Sequence, residues 1–170
     1  MSGCANNGTK SAIQETVPLT IPASCQIPLV LAAINTSIPG AVYIPTTWQP
    51  EPGTDLHDSL SHGGIACSYG IASSEIGATV TFTPYISGFW GEKETEWIKN
   101  GQEKLSLENV SVDSIVGFSK GFLSADGRRV QILNILQGGV WISINANYVQ
   151  SPNELSDLIN ATVDSLVKDK

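Results

Sequence analysis

Hydrophobic positions along this chain switch between two periods, and the switches mark its elements. From Ile27 to Ile34 apolar residues follow one another almost without a polar break. That run predicts a buried helix over about residues 25–37, with Ser24 as N-cap, Pro28 in the first turn and a stop at Pro39-Gly40. Val42-Tyr43-Ile44 suits a short strand, and residues 45–64, rich in Pro, Asp, Ser and Gly, read as a long loop. Period-two alternation then sets in. Ile65, Cys67, Tyr69 and Ile71 share one face of a strand at about 65–72, and Val80 and Phe82 alternate with Thr79, Thr81 and Thr83 in a second at about 78–85. Charge pairing among Glu92, Lys93, Glu96 and Lys99, anchored by Trp90, Trp97 and Ile98, predicts a helix over 92–100.

Three further strands are predicted, at about 117–124, 128–137 and 140–148. The turn dipeptides Asp126-Gly127 and Gly138-Gly139 between them predict an antiparallel meander. The middle strand is apolar on both faces, as a central strand covered on both sides must be. The last strand puts Val140, Ile142, Ile144 and Ala146 on one face and Trp141, Ser143, Asn145 and Asn147 on the other. Ser151, Pro152 and Glu154 form a capping box before a helix carrying Leu155, Leu158, Ile159, Val163 and Leu166. The expected class is α+β: an antiparallel meander covered by an N-terminal and a C-terminal helix, in a single globular domain at 21–170 after a flexible tether at 1–20.

Composition narrows the function. The 170 residues are 41% apolar, enough for one sizeable core. A net charge of -7 argues against nucleic acid, and the only adjacent basic pair, Arg128-Arg129, follows the Asp126-Gly127 turn. The same deficit argues against electrostatic docking on anionic lipid. No stretch approaches the roughly 20 apolar residues of a membrane span.

The N-terminus points to a compartment. Ser2-Gly3-Cys4 has the form of the end of a lipobox, where bacterial lipoproteins are cleaved before a cysteine that is then acylated. The polar residues Ala5 to Ser11 have the composition of a tether. Three cysteines are an odd number, and lipidation of Cys4 leaves Cys25 and Cys67 as a pair for a disulfide. The alternative is two buried free thiols.

Together, the lipobox cysteine, the tether, a first helix beginning at Cys25, the Cys67-Ser68-Tyr69 strand, the meander and the terminal helix resemble small actinobacterial (Gram-positive) cell-envelope lipoproteins of unknown function. Some of these are similar to the Mog1/PsbP type of sandwich. Relatives often carry Trp where this chain has Tyr69. The resemblance implies an extracytoplasmic protein anchored to the outer face of the cell membrane through Cys4, and it brings no catalytic residues.

Two groups of residues are candidate sites. Asp55, His57, Asp58 and His62 have the residue types of a metal site in a Gly-flanked loop, and a solvated acidic loop has the same types. Ser59 or Ser61 beside them is a poor triad nucleophile without a G-x-S-x-G turn. Trp48, Phe89, Trp90 and Trp141 are candidates for ligand recognition, the alternative being ordinary packing. The favoured function is a non-enzymatic binding module for a protein, glycan or lipid, with no cofactor. A metal-dependent hydrolase using His57 and His62, and an inhibitory or structural partner protein, are the alternatives.

Overall fold

The computed structural model describes residues 19–84, 88–110 and 115–168. Cys4 and the first 18 residues of the expected tether lie outside them. In chain order the elements are β1 (Leu19–Thr20), α1 (Pro28–Ser37), β2 (Val42–Ile44), α2 (Asp55–Ser61), β3 (Ile65–Ile71), β4 (Ile76–Pro84) and α3 (Phe89–Lys99). They continue with β5 (Glu103–Lys104), β6 (Val116–Leu123), β7 (Arg129–Gln137), β8 (Val140–Ala146), α4 (Ser156–Asp164) and β9 (Val167–Lys168). The class is α+β. Seven strands form one antiparallel sheet in the order β2-β3-β4-β8-β7-β6-β5, and β1 pairs with β9 apart from it.

The pairing of β4 with β8 explains the two faces of the sheet. Ala78, Val80 and Phe82 stand opposite Ala146, Ile144 and Ile142, while Thr79, Thr81 and Thr83 stand opposite Asn145, Ser143 and Trp141. Successive side chains point to opposite faces, so one register gives the sheet an apolar face and a largely polar one. On the apolar face, Val30 and Ile34 of α1 and Leu158 and Ile159 of α4 pack with Val80, Phe82, Leu133, Ile142 and Ile144.

Helix α1 differs from its expected form in two ways. It begins at Pro28, not at Cys25, and it buries only one stripe, leaving Leu29 52% exposed. A helix lying on a sheet needs one apolar face, and a run apolar on every side does not say which face that is. Asn35 closes its far end: its Nδ2 donates to the carbonyls of Leu31 and Ala41, and its Oδ1 accepts from Gly40 N–H. Ahead of the helix, Cys25 and Cys67 form a disulfide with Cα atoms 5.1 Å apart. The Tyr69 hydroxyl donates to the Cys25 carbonyl at 2.7 Å, a second stitch between this segment and β3.

The largest correction falls on residues 45–64, expected to be loop throughout. Asp55–Ser61 is helix α2, capped by the Thr54 side chain, which accepts from His57 N–H, with Asp55 and Asp58 in its first turn. At 7 residues it is too short to show a helical period. Helix α4 keeps the Ser151/Glu154 capping box, with a 3-10 turn at Pro152–Leu155 as its lead-in.

Candidate functional site

The polar face of the sheet is divided into two halves. Over one half, α3 lays Trp90 and Trp97 against Phe118 and Trp141. The rings meet at angles, with centroids 5.0 Å apart for Trp90 and Trp97 and 5.4 Å for Trp97 and Trp141. Trp141 Nε1 donates to Asn134 Oδ1 at 3.0 Å, and Asn134 Nδ2 donates in turn to Gln102 Oε1. At 8% and 3% exposure, Trp90 and Trp141 are buried in this cluster, the ordinary packing that is the alternative to ligand recognition. Phe89 lies at the edge of this cluster, stacked on His62 with centroids 4.3 Å apart and edge-on to Trp141.

The other half of the face is open. A groove of about 610 Å³ runs over it, floored by Ser68, Thr79, Thr81, Ser143 and Asn145 beside Ile132, walled by Leu56 of α2, with Trp48 at its lip. Trp48 is 55% exposed. The floor residues are cross-strand neighbours: Ser68 faces Thr79, Thr79 faces Asn145, Thr81 faces Ser143 and Asn145 faces Ile132. Ser68 and Thr79 hydroxyls share a hydrogen bond of 2.9 Å. The side chains of Thr81, Ser143 and Asn145 make no hydrogen bond among the described residues.

Two carboxylates border the groove, and both are engaged. Asp55 Oδ1 lies 2.6 Å from Lys93 Nζ, and Asp55 Oδ2 accepts from Trp97 Nε1 at 2.7 Å. Glu75 meets Arg128 at 3.5 Å, and its backbone carbonyl accepts from Asn147 Nδ2 and Arg128 Nη1. Among the described residues no Lys, Arg or His lines the groove.

Helix α2 carries three of the residues proposed for a metal, Asp55, His57 and Asp58, and His62 caps its end. Asp55 and Asp58, one turn apart, face Lys93, which also meets Glu96 at 2.7 Å. Burial pushes the Lys93 ammonium down, but its hydrogen bonds to Asp55, Glu96 and Asp58 outweigh this and hold it above the ordinary lysine range. His62 Nδ1 lies 2.6 Å from the Asp58 carbonyl, and buried His57 Nδ1, 3.8 Å from Asp58 Oδ1, has no hydrogen-bond partner among the described residues. Ser59 is buried, its hydroxyl on that of Thr83. Among the described residues no group of three or more His, Cys, Asp or Glu is placed to hold a metal ion.

No protein family, curated protein or solved structure matches this chain. The site is therefore read from its own geometry. Of the residues singled out by sequence, the groove takes Trp48 and Asp55. Sequence reasoning missed the floor, although its signal was present: the polar alternations of β4 and β8 are the two halves of it. What the sequence lacks is the fact that these strands, some sixty residues apart, are neighbours.

Proposed function

We propose that this chain is a non-enzymatic binding module of the cell envelope, held at the outer face of the cell membrane by lipid on Cys4, with a globular domain at 21–170 that takes its ligand in the groove beside Trp48. In this reading β6, β7 and β8 are the meander of a lipoprotein sandwich, with N-terminal α1 and C-terminal α4 covering its apolar face. The observation that carries the binding reading is the groove itself. It is concave, it joins an apolar wall to a few polar groups that have no hydrogen-bond partner among the described residues, and of its ionisable groups Asp55 is held by Lys93 and Trp97, Tyr69 donates to the Cys25 carbonyl and Glu75 meets Arg128. A site organised for acid–base chemistry instead brings titratable groups within reach of one another and of a substrate.

The membrane half of the reading is tested by expressing the chain behind a lipoprotein leader in an actinobacterial host and taking the mass of the N-terminal peptide. An acylated Cys4, with Cys4→Ser released into the soluble fraction, is the expected result. An unmodified thiol on a soluble protein sinks it.

A further inference from the structure

We infer that the ligand of the groove is an uncharged glycan chain, lying across the strands on Ser68, Thr79, Asn145, Thr81 and Ser143 with a sugar ring under Trp48. The inference rests on the binding-module reading and gives it a ligand class.

Three observations select that class. The first is charge. Among the described residues no Lys, Arg or His lines the groove, so there an anionic ligand would surrender its hydration without a cation to compensate, and Asp55 already has Lys93 and Trp97 on its two oxygens. The second is the kind of polar group on offer. The floor lies over a sheet face whose backbone N–H and C=O groups are consumed by the β3–β4–β8–β7 ladder, so a peptide cannot add to it as a strand. Recognition falls to side chains, and hydroxyls and a carboxamide each both donate and accept. A sugar's hydroxyls do the same and match them group for group, whereas an acyl chain would desolvate Thr81, Ser143 and Asn145 and leave them without partners. The third is Trp48. A sugar ring presents a face of C–H bonds, and an exposed indole at the lip, with Ile132 and Leu56 below, supplies the apolar surface that such a face covers. From Ser68 to Ile132 the floor crosses three strand spacings, about 14 Å, the length of a short oligosaccharide.

The test is a heteronuclear NMR titration of the isotope-labelled, disulfide-bonded full chain with uncharged hexasaccharides built on glucose, mannose, xylose and N-acetylglucosamine. A neutral polyoxyethylene detergent below its micellar concentration serves as an apolar probe. The expected result is saturable shifts at Thr79, Thr81, Ser143 and Asn145 with at least one glycan. Thr81→Val and Ser143→Ala, both small changes on a sheet face, should weaken it about 5-fold each, and Trp48→Ala about 10-fold, with the rest of the spectrum unmoved. If no glycan shifts these residues but the detergent does, the glycan class is overturned and the groove stands as a binding site. If neither does, both readings fall. Glycan binding that none of the three variants weakens overturns the proposed mode.

Discussion

Lys93 on α3 and Asp55 on α2 meet through a 2.6 Å contact between the ammonium of a lysine that is 3% exposed and a carboxylate that also accepts the Trp97 indole N–H. This contact holds α2, and hence the Leu56 wall of the groove, against the aromatic cluster. Removing the ammonium leaves Asp55, Asp58 and Glu96 facing one another, each partly open to water, which tempers the loss. Lys93→Met is expected to cost about 1–3 kcal/mol in urea unfolding. Asp58→Asn should cost less, because Lys93 keeps its other two partners. A Lys93→Met variant as stable as the parent would show that the contact is not what fixes α2.

The Cys25–Cys67 bridge closes a loop with a sequence separation of 42. On chain-entropy grounds a loop of this length is worth about 4 kcal/mol, or a fall of about 10 °C in Tm when it is cut. Thermal melts with and without reductant, on Cys4→Ser to keep a third thiol out of exchange, measure it directly. Superimposed melts would mean that the loop's ends are held as well without the bond.

Asn134 is fully buried and spends both ends of its amide on Trp141 and Gln102. Asn134→Leu strands a buried indole N–H and should cost about 1–3 kcal/mol. Adding Trp141→Phe removes the stranded group, so the double variant should lose less than the sum of the singles. Additive losses would deny the coupling.

Alkaline pH should loosen the fold. Burial, aided by the neighbouring Tyr43, pushes the Tyr69 phenol up to about 12, and burial does the same for Tyr148. The folded state therefore holds these protons more tightly than the unfolded chain, whose phenols titrate near 10. The stabilisation is complete below pH 10 and is lost as pH rises toward 12. The raised Lys93 acts with the same sign above about 10.5. Urea midpoints should drop between pH 9 and pH 11, and equal midpoints would contradict the burial of the two phenols.

Legibility in the sequence followed the range of the interaction. The strand β8 announces its two faces because its pattern is local, and the capping box at Ser151 and Glu154 is readable because its partners are three residues apart. The Cys25–Cys67 pairing was reachable by elimination among three cysteines. Helix α2 escaped because it has barely two turns, and its best marker, Thr54 ahead of two aspartates, is also the composition of a turn. For Trp90 and Trp141 the sequence left packing and recognition both open for a related reason. No local pattern says that α3, which carries Trp90, is laid over the polar face on which Trp141 stands. The groove needed the strand order, which no local pattern contains.

The disulfide also decides where tension would travel. Leu19 is joined to the Gly138 carbonyl and to β9, at the end of β4 and β8 opposite the groove. A pull on the chain before Leu19 would first peel β1 away and then reach Cys25, where the covalent bond passes the load straight to β3 at Cys67. Helix α1, β2, Trp48 and α2 all lie inside the closed loop. They are mechanically shunted, so that a pull applied before Leu19 bypasses the wall and lip of the groove.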